Sequence, residues 1–173
     1  SHDSLPDKLG RVEGQVIVLA NNKTDRACIQ GWSSRQINRV VHTAMSAEGM
    51  AILNVLGDLR YVKTILSQMY GMHMKEMPTI AVTDSKNLWL TAHQLKQPEN
   101  RQLAHTVCEI KETMAMDSAA HELRHLPKAF MIADSLTKKN GKHQILLDVL
   151  QTGRFRLEGG WQVNSNSAIY IRT

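Results

Sequence analysis

Three carboxylates stand where the packing pattern of this chain leaves no obvious place for a charge. Glu48 lies on the N-terminal extension of an apolar helical stripe, Asp84 directly follows an apolar strand pattern, and Asp134 lies inside an apolar helical segment. Because burying an unpaired carboxylate is costly, such residues usually have a cation nearby. Clustered hard oxygen ligands suit Mg²⁺ or Mn²⁺ rather than zinc. The pattern therefore predicts a divalent-metal site.

Each of these carboxylates also has a simpler explanation. Glu48 in a first helical turn would interact favourably with the helix dipole and stay in water. Asp84 would cap the helix that follows it, and Asp134 would form a salt bridge with a nearby lysine. The residues alone leave both explanations open at all three positions.

No other catalytic motif accompanies the carboxylates. The histidines lack metal-ligand spacing, and the chain contains no GxxxxGKS/T, GxGxxG or GxSxG sequence. Zinc, nucleotide cofactors and a serine nucleophile are therefore not expected. Cys28 and Cys108 are far apart in apolar periodic contexts, so we expect two buried, reduced thiols.

The hydrophobic periodicity indicates which elements must position the carboxylates. It predicts a hairpin of strands 16–20 and 27–32, a long helix with apolar stripe 52–69 ending at Gly71, strand 79–83, a helix from 85 to 93, helix 103–114, strand 122–126 and helices 130–138 and 145–150. Interleaved strands and helices predict an α/β fold with a mixed sheet flanked by helices. At least one strand is expected to be missing in front of the hairpin, since a hairpin followed by a long helix would leave one sheet edge bare.

The composition is that of a globular domain with a basic surplus. The 173 residues carry a net charge of +5, with 42% hydrophobic and 21% charged residues. We expect one domain over 1–155, and a C-terminal tail or an appended strand over 156–173. The charge favours a polyanionic partner. Two reduced thiols suit an intracellular compartment, and no membrane partner is expected, since no apolar run approaches the length of a membrane span.

Four local strings resemble the ribonuclease H of copia-type retrotransposons. They read Gly-Trp-Ser-Ser-Arg-Gln over 31–36, Ser-Ala-Glu over 46–48, Val-Thr-Asp-Ser over 82–85 and Ile-Ala-Asp-Ser-Leu-Thr-Lys over 132–138. They occur in the family's order and at similar spacing, and the resemblance covers roughly 1–155. It implies a ribonuclease H-like sheet, within a Pol polyprotein that also holds a reverse transcriptase.

The resemblance also implies a catalytic mechanism. Glu48, Asp84 and Asp134 match the second, third and fourth of four family carboxylates that hold two Mg²⁺ or Mn²⁺ ions. The expected reaction is endonucleolytic hydrolysis of the RNA strand of an RNA–DNA hybrid during reverse transcription, in a cytoplasmic retroelement particle or in the nucleus. The first family aspartate would fall just before Ser1, so the first strand is expected to be missing and this chain to have little or no activity. Asp3 as a substitute ligand, or true loss of that aspartate, stays open.

Basic side chains are the expected contacts to nucleic-acid phosphates, and solvated surface charge is the simpler explanation for each. The candidates are Arg35, Arg39, Lys86, Arg101, Lys138 and Lys139. Trp32 and Trp89 are expected to pack under the sheet rather than to stack on bases.

Two other functions fit parts of the pattern. A DDE-type integrase core has a similar architecture, but its glutamate comes last, whereas Glu48 here precedes both aspartates. A catalytically inactive ribonuclease H-like tether, which would hold a reverse transcriptase on its hybrid, fits the basic charge and the missing strand.

Overall fold

A computed structural model of the chain describes residues 12–21, 23–37, 43–74, 77–94, 98–116, 121–137 and 143–157, and the backbone of 167–172. Its strands are β1 (Val12–Asn21), β2 (Ala27–Gln36), β3 (Thr79–Thr83), β4 (His121–His125) and β5 (Ser167–Arg172). Its helices are α1 (Ala44–Tyr70), α2 (Lys86–His93), α3 (Arg101–Met116), α4 (Asp134–Thr137) and α5 (Gln144–Thr152).

The five strands form one mixed sheet in the order β2-β1-β5-β3-β4. Strand β1 pairs antiparallel with both β2 and β5, whereas β3 pairs parallel with both β5 and β4. The predicted hairpin is therefore confirmed, and so is the α/β class with a mixed sheet. The expected position of the strand that covers β1 was wrong: β5, from the C-terminal segment and not from in front of the hairpin, pairs with that edge of β1.

Helices cover both faces of the sheet because its central strands are apolar on both sides. In β3, Ile80 and Val82 pack towards Val149 of α5, whereas Ala81 packs towards the apolar residues of α1, α2 and α3. Strand β1 alternates in the same way, with Val16 and Val18 on the α5 side. Two cores thus enclose the sheet, and the ends of its strands remain available for a site.

The ends of α1 show why this helix has its length. The Thr43 side chain caps the first turn by accepting a hydrogen bond from the Ser46 backbone N–H at 3.0 Å. The predicted stop at Gly71 is confirmed, because Gly71 adopts a left-handed conformation with φ 64° that a side chain would disfavour. None of the helices in the described part of the chain is long and apolar enough to cross a membrane.

Some expectations differ from the structure or fall outside it. The helix predicted over 130–138 is a short 3₁₀ turn (Lys128–Phe130) followed by α4, since Met131, Ile132 and Ala133 insert into the core between them. Residues 1–11, which contain Asp3 and the region in front of the hairpin, lie outside the described residues.

The glycine in β1 allows α4 to approach the sheet. A Cβ atom built on Gly14 would lie 2.8 Å from Cγ2 of Thr137 and 2.9 Å from the carbonyl oxygen of Ala133. Both distances are shorter than a normal contact, and the second is to backbone that cannot turn away. Any side chain at this position would therefore push out the segment that begins α4.

We predict that Gly14→Ala destabilises the protein by about 1–3 kcal/mol, because the added methyl overpacks this contact. Gly31→Ala is the matched control, since Gly31 lies in the neighbouring strand and a Cβ there meets nothing within 4 Å. Urea unfolding followed by circular dichroism measures both variants. Equal stability of the two variants would show that α4 does not depend on the close approach.

Candidate functional site

A cavity of about 400 Å³ opens at the end of the sheet where β1 begins and β3 ends. All three carboxylates predicted from the sequence line it: Glu48, Asp84 and Asp134. They reach it from three separate elements, namely the second turn of α1, the turn after β3 and the first residue of α4. The structure thus brings together residues that are up to 86 positions apart in the chain.

The simpler explanations for two of these carboxylates do not hold. Helix α1 begins at Ala44, so Glu48 lies beyond its first turn. Helix α2 is capped by Ser85, whose hydroxyl accepts from the Leu88 backbone N–H at 3.3 Å, and not by Asp84. Helix capping and the helix dipole therefore do not account for these two residues.

The simpler explanation for Asp134 is the one that the structure shows. Its Oδ1 atom lies 3.9 Å from Nζ of Lys128, which lines the same cavity. This distance is long for a salt bridge, and the lysine is 60% exposed. Ion pairs of this kind contribute only about 0–1 kcal/mol.

Glu13 is a fourth carboxylate on the cavity wall, and it was missed from the sequence. Its side chain is only 5% exposed, and its Oε1 atom lies 2.6 Å from Nε of Arg35. Asn54 of α1 donates to both of its oxygens, at 3.0 and 3.2 Å. Glu13 is therefore a charge-paired structural residue, and its inward position in the alternation of β1 was the only sequence signal.

Arg35, which was predicted to contact nucleic acid, spans two carboxylates of the protein itself. Besides Glu13, it binds Asp58 of α1 through NH2 at 2.7 Å, and Gln15 donates to the same Asp58 oxygen. Partial burial alone would lower the pKa of Arg35, but hydrogen bonds and charge from Asp58 and Glu13 outweigh it and raise the pKa. The guanidinium is thus engaged in joining β2 to α1.

The other predicted nucleic-acid contacts lie away from the cavity wall or outside the described residues. Lys86 and Arg101 are exposed at the starts of α2 and α3 and do not line the cavity. Arg39, Lys138 and Lys139 fall outside the described residues. None of the predicted phosphate contacts that the structure describes therefore lies on the cavity wall.

The exposure predicted for Trp32 and the cysteines was wrong. Trp32 is 68% exposed and lies on edge strand β2. Trp89 is half-buried, and its indole N–H donates to the Leu123 carbonyl at 3.0 Å. Cys28 is exposed on the same edge strand and Cys108 is half-buried, although both thiols are free as expected.

The carboxylates of the cavity suit a hard cation as ligands, but their side chains do not converge on one point. Carboxylate oxygens are the ligands that Mg²⁺ and Mn²⁺ prefer. Among the described residues, however, no three His, Cys, Asp or Glu side chains are arranged to hold one ion. Metal binding would thus require the carboxylate side chains to converge from the walls of the cavity.

Comparison of the chain with family models, with curated proteins and with solved structures finds no match. Together the fold and the site define a mixed α/β domain with an acidic cavity at one end of its sheet.

We predict that Arg35→Gln destabilises the protein by about 1–3 kcal/mol, because the buried Glu13 carboxylate loses its cation and keeps only Asn54. Adding Glu13→Gln in the same chain should restore part of this loss, since a neutral amide tolerates burial better. Thermal unfolding of both variants measures the difference. The control is Arg60→Gln, an exposed arginine of α1, and an Arg35 variant no less stable than this control would contradict the role of the pair.

Proposed function

We propose that this chain is a ribonuclease H-type domain whose acidic cavity binds Mg²⁺ and hydrolyses the RNA strand of an RNA–DNA hybrid. One observation carries the proposal. Glu48, Asp84 and Asp134 were selected from sequence patterns and family-like strings alone, yet they line a single cavity.

The roles of the protein's own residues follow from where they lie. Glu48, Asp84 and Asp134 would hold the ions from three sides, as half-buried acceptors at the end of a rigid sheet. If bound there, Mg²⁺ ions would supply an activated water and charge stabilisation for the leaving 3′ oxygen. Glu13 would stay out of this set, because Arg35 and Asn54 occupy both of its oxygens.

The proposed substrate and setting come from the resemblance of the four strings to copia-type ribonuclease H. Such a domain distinguishes the RNA strand by its 2′-hydroxyls and positions the duplex through phosphate contacts. The basic net charge of +5 is consistent with a polyanionic substrate. A reverse transcriptase domain in the same polyprotein, in a cytoplasmic or nuclear retroelement complex, would supply the hybrid.

A second candidate function is hybrid binding without cleavage, and one feature of the sheet favours it. Strand β5, which lies between β1 and β3, reads Ser-Ala-Ile-Tyr-Ile-Arg and contains no carboxylate. The three acids are also not arranged to hold one ion in this structure. This chain would then serve as a tether that keeps a polymerase on its hybrid.

We predict weak, Mg²⁺-dependent cleavage of a labelled RNA–DNA hybrid by this chain. Asp84→Asn should reduce it by more than the roughly 10–100-fold that loss of an outer-shell partner costs, because a ligand itself is removed. Asp148→Asn is the matched control, since Asp148 is exposed on α5 and does not line the cavity. A gel assay with hybrid, double-stranded RNA and double-stranded DNA measures rate and substrate class.

The same assay separates the candidate functions. Cleavage that Asp84→Asn leaves unchanged would contradict the proposed site. Hybrid binding without cleavage, unaffected by Glu48→Gln, Asp84→Asn and Asp134→Asn, would establish the tether instead. Joining of DNA ends would point to an integrase core.

A further inference from the structure

Lys128 is the only cationic side chain among the described residues that line the acidic cavity. It shares the wall with Glu13, Glu48, Asp84 and Asp134. The arginine and lysine residues that were predicted to hold the substrate are engaged elsewhere, do not line this wall or lie outside the described residues. A role for Lys128 on this acidic wall must therefore be sought in its own contacts.

The backbone holds Lys128 beside the carboxyl end of β3. The Leu126 backbone N–H donates to the Thr83 carbonyl at 2.9 Å, which attaches the segment before Lys128 to the residue immediately before Asp84. Pro127 then begins the 3₁₀ turn, whose first bond runs from the Phe130 N–H to the Pro127 carbonyl at 3.0 Å. Buried Leu126 and Met131 anchor the turn on either side. Lys128 thus extends from a fixed base.

The side chain of Lys128, in contrast, is held weakly. It is 60% exposed, and the 3.9 Å distance from Nζ to Asp134 Oδ1 is long for a direct hydrogen bond. Arg35 approaches its two carboxylates at 2.6 and 2.7 Å. A long, exposed ion pair adds little to stability, so the ammonium group can leave Asp134 at little cost. A fixed backbone with a loosely held cation is suited to binding an incoming anion.

We propose that Lys128 binds a phosphate of the nucleic-acid strand that enters the cavity, and that it moves from Asp134 to this phosphate when substrate binds. The proposal rests on the proposed function, since it assumes an RNA–DNA hybrid as substrate. A phosphodiester carries a negative charge and would otherwise be repelled by the wall carboxylates. Lysine suits this role because its ammonium is a point charge on a flexible stem.

The test measures hybrid binding rather than cleavage. Fluorescence anisotropy with a labelled RNA–DNA hybrid, in Mg²⁺ and in EDTA over a range of salt concentrations, compares the full chain with Lys128→Gln. We expect about 5-fold weaker binding and a salt dependence shallower by about 0.9, which corresponds to one lost phosphate contact. Lys128→Arg, which keeps the charge, should restore both. Lys23→Gln, at the exposed turn at the other end of β1, should change neither.

The outcomes distinguish this proposal from the one on which it rests. If the unaltered chain binds the hybrid and Lys128→Gln binds it with the same affinity and salt dependence, Lys128 is not a phosphate contact, while the proposed function stands. If Lys128→Gln binds Mn²⁺ more tightly without weakening hybrid binding, the lysine is only a counter-ion of Asp134 and the proposal is wrong. If the unaltered chain does not bind the hybrid at all, both proposals fail.

Discussion

The buried carboxylate of Glu13 is the constraint on which the arrangement of the site depends. A carboxylate that is 95% inaccessible to solvent must be compensated by charge and hydrogen bonds within the protein. Arg35 supplies the charge from β2, and Asn54 supplies the hydrogen bonds from α1. This requirement fixes the helix against the hairpin, and Glu48, six residues before Asn54, is thereby held over the end of the sheet.

The other wall of the cavity is fixed by steric fit rather than by charge. Gly14 lets α4 approach β1 closely, and Asp134 is the first residue of that helix. Glu13 and Gly14 are neighbours in β1 and face opposite sides of the sheet. The charge pairing and the close packing therefore act on adjacent residues of one strand. Charge pairing on one face and close packing on the other bring Glu48 and Asp134 towards Asp84 at the end of β3.

Much of this could be predicted from local patterns. Short apolar runs, the alternation of the second hairpin strand and helical periodicity located the hairpin, α1 and β3, and the three acids were recognisable because each lies at the end of an apolar pattern or inside one. Glu13 was missed because its partners Arg35 and Asn54 are 22 and 41 residues away, and only the tertiary fold brings them together. The central place of β5 was not predictable either, since a short segment far along the chain carries no signal of which strands it will join. The exposure of Trp32 depends on β2 being an edge strand, which is a property of the whole sheet.

The central claim is that Glu48, Asp84 and Asp134 act as one divalent-metal site, and titration with Mn²⁺ followed by NMR tests it most directly. Paramagnetic broadening falls steeply with distance from the ion. The account predicts that backbone amide signals of 47–49, 83–85 and 133–135 lose intensity together, at the same Mn²⁺ concentrations, and that Asp84→Asn weakens all three losses. Broadening at only one of these segments, or stronger broadening at an exposed acid such as Asp148, would contradict it.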